Sequence, residues 1–229
     1  MNTLHKVGGA AALLLGGLFA ALVALLFAIA KQGYVPGSGN DPAKALAFAA
    51  TSPVPYIIYL LCAVLAVLIA LIMSALGQRL EDDGPAVMTW ARTAGIAAAV
   101  LFLAYAMLGF VGEPTLVRVY TQDQAAGAAA YLAVRVVSNG LNTAAIFAVG
   151  WAILLSSAAA RRAGALPTGL AYLLIVAGAV SILAFLVPVF SLVAPLLYIV
   201  WSVWLGMILC WKPVTCQRHI AREPDGVEA

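Results

Sequence analysis

Apolar residues run through this chain in six long blocks, and polar residues gather in the stretches between them. The blocks cover residues 8–30, 54–76, 93–111, 135–158, 170–187 and 190–211. Each is close to the about 20 apolar residues a helix needs to cross a bilayer. Pro188 and Pro195 bracket the apolar segment Val189 to Ala194, and the last two blocks together are too long for one crossing. A tight hairpin between two spans is the better reading. Lys6 precedes the first block, and Ala28-Ile29-Ala30 has the small-x-small form of a signal cleavage site. A signal core is only about 7–15 residues long, so this longer block is expected to be retained as a span.

The connecting segments differ in character. Residues 31–53 open with Gly33, Pro36, Gly37, Ser38, Gly39 and Asn40, which favour turns, and continue with Asp41 and Pro42. Asp at an N-cap followed by Pro at the first helical position predicts a short surface helix through Lys44 to Ala50. Residues 112–134 form the longest polar interruption, and Glu81-Asp82-Asp83-Gly84-Pro85 reads as an acidic turn. Residues 212–229 are a short polar tail.

Lys and Arg counts near the span ends set the expected orientation. One side carries Lys6, Arg79, Arg92, Arg161, Arg162, Lys212, Arg218 and Arg222, and the other carries Lys31, Lys44, Arg118 and Arg135. Eight against four predicts both termini in the cytoplasm. The uncharged connection between the fifth and sixth spans then lies outside.

Composition narrows the class further. Of 229 residues, 65% are apolar and 9% are Asp, Glu, Lys or Arg, with a mean hydropathy of +1.05. A soluble domain carries about 25% charged residues, so a water-soluble core is excluded. The net charge of +3 is dispersed over several loops, unlike the clustered basic face of a nucleic-acid-binding protein. Three cysteines, Cys62, Cys210 and Cys216, make no disulfide framework. The expected fold is a single all-α domain over residues 1–229, a polytopic membrane helical bundle of six transmembrane helices with both termini cytoplasmic.

Catalytic spacing is sparse. The sequence has no Gly-rich phosphate loop, no His-Glu-x-x-His, no Gly-x-Ser-x-Gly and no pair of Asp residues within the spans. His5 and His219 stand at the two chain ends, outside the spans, where they are not placed to ligate a haem between helices. Cys210, Cys216 and His219 are metal-capable, but Pro213 interrupts any shared helical face and a fourth ligand is missing nearby. No catalytic residue, metal or cofactor is expected, and a lipid-directed enzyme lacks an evident nucleophile.

One polar constellation stands out in the fourth span. Arg135, Asn139 and Asn142 recur at i, i+4 and i+7, on one helical face near the outer boundary of the bilayer, with Tyr131 and Ser138 close to the same stripe. Glu113 follows the third span on the same side and Arg118 lies between. Together Glu113, Arg118, Arg135, Asn139 and Asn142 are the candidate ligand-binding set, with Glu113 facing Arg135 across a polar vestibule. Against this stands a structural reading, which carries more weight because polar glue between helices is common. In it Arg135 snorkels to the headgroups, Asn139 and Asn142 hydrogen-bond between helices, and Glu113 is solvated.

Several aromatic residues, among them Trp90, Trp151, Trp204 and Trp211, suit interfacial belts. Trp201 and Trp204 are three apart and read as packing or belt residues before a stacking face. Gly16 with Ala20, Gly17 with Ala21 and Gly95 with Ala99 have the spacing that lets helices approach closely, within the chain or between chains.

The fourth to sixth spans carry Trp151-Ala152-Ile153-Leu154-Leu155, Arg161-Arg162, Ala165-Leu166-Pro167-Thr168-Gly169-Leu170, Ala177-Gly178-Ala179-Val180-Ser181-Ile182-Leu183 and Tyr198-Ile199-Val200-Trp201-Ser202-Val203-Trp204-Leu205-Gly206. In this layout the chain resembles a six-helix family of bacterial membrane proteins known as domain of unknown function 4386. The resemblance implies a multi-pass protein of the bacterial cytoplasmic (inner) membrane and assigns no chemistry. The leading expectation is a non-enzymatic accessory or interaction component whose partners are the lipid bilayer and another membrane protein or further copies of itself. The alternative is a protein that binds or transports a small molecule, lipid or ion through the outer vestibule.

Overall fold

The computed structural model describes residues 3–30, 41–80, 85–164, 166–187 and 190–211, with side chains placed for all but 3–5, 79, 190–192 and 211. The expected turns at 33–40, most of the acidic turn at 81–85, Pro188, and the tail with Cys216 and His219 lie outside the described residues. Seven α-helices are described: α1 (Thr3–Ala30), α2 (Pro42–Thr51), α3 (Val54–Leu80), α4 (Pro85–Gln122), α5 (Gln124–Arg162), α6 (Thr168–Leu186) and α7 (Phe190–Trp211). All but α2 are long and apolar enough to span a membrane. In hydrocarbon every backbone N–H and C=O must be satisfied within its own segment, and a helix achieves this.

The six long helices close into a ring. α1 packs on α3 and α7, α3 on α4, α4 on α5, α5 on α6, and α6 on α7. Outward, Leu14, Phe27, Val67, Val100, Leu186 and Val200 are each more than half exposed, drawn from five different helices. An apolar surface on every side fits lipid as the solvent and makes this an integral membrane protein.

Small residues permit the closest crossings. A side chain on Gly16 would strike Ser202 and Val203 of α7, and one on Gly95 would strike Met73 of α3. These two expected small-residue faces are therefore used within the chain, whereas Gly17 meets nothing and faces outward. Gly150 of α5 and Gly178 of α6 cross backbone to backbone, each standing where the other's carbonyl oxygen leaves no room for a Cβ. Gly9 and Cys210 touch, bringing the start of α1 beside the end of α7 at one face of the bundle.

The ring is closed at that face. Leu76, Leu80, Met88, Ala91, Ala159 and Ala160 are buried together there. α3 and α5 meet across the ring, where the Ser156 hydroxyl approaches the Met73 sulfur at 4.0 Å. α5 ends in Arg161 and Arg162, whose charges suit the negative helix terminus. Gly164, at φ 60°, takes the left-handed conformation that stops the helix.

At the opposite face the interruption expected at 112–134 proves to be helical. α4 and α5 have 38 and 39 residues and are thus about 57 Å long, against a hydrocarbon core of about 30 Å. They continue past the bilayer as a helical hairpin broken only at Asp123, whose side chain caps α5 by accepting from Ala125 and Ala126 N–H at 2.9 and 3.0 Å. Gly127 lets the two helices part so tightly, since a Cβ there would meet the Tyr120 backbone. Hydropathy reports what suits a bilayer, and a polar helix standing in water falls outside its signal.

The predicted surface helix forms as α2. Asp41 caps it by accepting from Ala43 N–H at 3.0 Å, and Pro42 occupies its first turn. Its Ala45 and Leu46 pack on Leu116 and Tyr131 of the hairpin, so α2 lies across the open end of the ring.

Candidate functional site

Within the ring is a cavity of about 380 Å³. Five of the six long helices and α2 line it, while α6 stays outside. On α3 the lining extends from Pro55 to Met73, a depth of about 27 Å at 1.5 Å per residue. Most of the wall is aliphatic or aromatic, including Leu15, Leu22, Ile69, Phe102, Ile146 and Ile153. Met73 and Ile153 stand at its inner end, beside the point where α3 meets α5.

The polar groups sit at the two ends of this wall. At the α2 end are Glu113, Arg135, Asn142 and Tyr59. Glu113 is 9% exposed, which overturns the expectation that it is merely solvated. The Tyr59 hydroxyl lies beside the Glu113 carboxylate, and Arg135 supplies the opposite charge nearby. The second carboxylate oxygen, Oε2, is buried without a hydrogen-bond partner. A buried charge requires compensation, which a guanidinium across the helix interface provides without closing a bond to Oε2. Behind Glu113 a void of about 20 Å³, lined also by Tyr105, Tyr131, Arg135 and Ser138, has room for one water.

Tyr59 owes its place to α4. Its ring lies on Gly109, one turn before Glu113 on the same face, and Tyr105 meets it edge-on with ring centroids 5.7 Å apart. Sequence reasoning missed Tyr59 because it lies far from Glu113 along the chain. Its one signal was a tyrosine near the start of an otherwise apolar span.

Toward the closed end, Tyr198 and Trp201 of α7 line the wall. The Tyr198 hydroxyl pairs with Ser181 of α6 at 2.5 Å, and the Ser181 hydroxyl also bonds the Ala177 carbonyl at 2.7 Å. Trp201 is 3% exposed and its Nε1 has no hydrogen-bond partner. Trp204 lies apart from it, against Gly169.

Of the five candidate binding residues, Glu113, Arg135 and Asn142 share the cavity. Arg118 is exposed on the projecting hairpin, and Asn139 is exposed on α5. The cavity face of α5 follows 135, 142, 146, 149 and 153. At 100° per residue Asn139 is about 40° from 135 and about 60° from 142, and it turns away. Among the described residues no cluster of His, Cys, Asp or Glu is able to hold a metal.

The fold and this cavity define a multi-pass helical membrane protein with an internal, mostly apolar chamber. No protein-family model, curated protein or solved structure matches the chain.

Proposed function

We propose that this protein binds an amphiphilic molecule, with the apolar body in the chamber and the polar end at Glu113, Arg135 and Asn142. The observation that carries this reading is the chamber itself. At about 380 Å³ it is within the usual size of ligand sites, and it pairs an apolar wall with a few convergent polar groups. Burying ionisable side chains is costly, and a binding role accounts for retaining two of them on the chamber wall. Leu26 is on the lining and also 38% exposed, which favours access from the bilayer on the α1 side. The charge asymmetry and the family resemblance support a bacterial cytoplasmic membrane, with the chamber mouth outward and both termini inside.

A second reading, an accessory component that packs on another membrane protein, is favoured by Gly17. It faces no neighbour, and Ala20 and Ala21 are exposed beside it, so α1 presents a small-residue stripe outward.

Native mass spectrometry of the protein extracted mildly from its own membrane separates the two. A bound amphiphile that is lost on Ile146→Trp, which narrows the chamber, supports the binding reading. A stoichiometric second polypeptide, lost on Gly17→Leu and indifferent to Ile146→Trp, replaces it with the accessory reading.

A further inference from the structure

Resting on the binding reading above, we propose that the ligand is a zwitterionic lipid carrying an ammonium and a phosphate, held by one acyl chain. Charge balance comes first. Among the described residues, the charged side chains on the chamber wall are Glu113 and Arg135, one of each sign, so their charges balance. A head group bearing only negative charge finds Arg135 but also faces the Glu113 carboxylate, and like charges at close range oppose binding. One bearing only positive charge meets the converse problem at Arg135.

Hydrogen bonding points the same way. Glu113 keeps one oxygen, Oε2, buried and without a hydrogen-bond donor. An ammonium supplies N–H donors for a carboxylate acceptor. The Arg135 guanidinium, with its planar fork of donors, matches a phosphate. A head group whose ammonium and phosphate are a few bonds apart meets both side chains together, one from α4 and one from α5.

Chamber size sets the chain number. A volume of about 380 Å³ holds roughly a dozen water-sized groups at about 30 Å³ each, which suits one acyl chain and not two. The depth along α3 suits an extended chain rather than a compact ring system. A second chain, where the lipid has one, remains in the bilayer on the α1 side near Leu26.

The test uses three palmitoyl probes at equal concentration with the delipidated full-length protein, read by native mass spectrometry. They are lysophosphatidylethanolamine, lysophosphatidylglycerol and monopalmitoylglycerol. The proposal expects the ethanolamine probe to bind about tenfold or more tightly than the glycerol phosphate probe, the ratio that one charge-assisted hydrogen bond gives. Glu113→Gln should level that preference. Should that variant not fold, Arg135→Gln should weaken both phospholipid probes relative to monopalmitoylglycerol. Equal binding of the two phospholipid probes, or a preference that survives Glu113→Gln, overturns the head-group assignment and leaves the chamber reading standing. If Ile146→Trp and the milder Ala152→Leu, both folded by thermal melting, change the binding of none of the probes, the chamber reading fails as well.

Discussion

The ring of Tyr59 rests on the backbone of Gly109, so closely that a methyl group at position 109 would fall within it. Glu113 follows one turn later, and this seat carries the Tyr59 hydroxyl to the carboxylate. Gly109→Ala should therefore act at a distance from its own atoms. It should cost about 1–3 kcal/mol, as overpacking does, and shift the Tyr59 hydroxyl away from Glu113. Thermal melting in lipid nanodiscs checks this, with Tyr59→Phe as the comparison that removes the hydroxyl alone. If Gly109→Ala melts like the wild type, Tyr59 does not depend on that seat.

Glu113 and Arg135 should respond unequally to loss of their partner. Glu113 is buried while Arg135 is half-buried and has a long apolar stem that can carry its charge toward the headgroups. Arg135→Leu strands a buried carboxylate and should cost about 3 kcal/mol or more. Glu113→Gln frees an arginine that can reach polar surroundings and should cost less. The double variant should recover about 0.5–3 kcal/mol relative to additivity. Denaturation in mixed micelles measures all four corners, and additive losses would show that the two charges do not interact.

The projecting hairpin should open without disturbing the spans. Gly127→Leu places a side chain against the Tyr120 backbone, which cannot yield as a flexible side chain would. Asp123→Ala removes the cap on α5 and should cost about 1 kcal/mol. In hydrogen exchange, both variants should speed amides of 116–131 and leave those of 145–160 as they were. Exchange rising across both segments would mean that the hairpin and the bundle unfold as one unit.

These expectations depend on features legible in the sequence to different degrees. The spans were legible because bilayer thickness fixes the length of an apolar run, and α2 because Asp41 and Pro42 announce a helix start. The hairpin was not, although Ala125, Ala126, Ala128, Ala129 and Ala130 are strong helix formers. Low hydropathy concealed their helical preference. In the site, the seven-residue spacing of Arg135 and Asn142 placed them on one face. Which neighbour of that face looks inward was set by how α5 meets α4 and α6, and this rotated Asn139 outward. The Gly150–Gly178 crossing required knowing that α5 and α6 pack side by side.

Tyr198 and Trp201, one turn apart on α7, should invert the usual size rule. Removing a larger buried aromatic ordinarily costs more than trimming one hydroxyl. Tyr198→Phe deletes a paired hydroxyl, while Ser181 retains its bond to the Ala177 carbonyl, so the loss should be about 1 kcal/mol. Trp201→Phe loses ring volume but also removes a buried N–H that has no acceptor, a group whose burial costs about 1–3 kcal/mol. The two terms oppose each other, and the substitution should be no worse than Tyr198→Phe when the delipidated protein is melted. If Trp201→Phe is the more damaging by about 2 kcal/mol or more, the missing volume outweighs the relief of that N–H. If the gap between the variants widens only after lipid is restored, the indole N–H finds its acceptor on the bound molecule, and the chamber holds a second polar contact deep below Glu113.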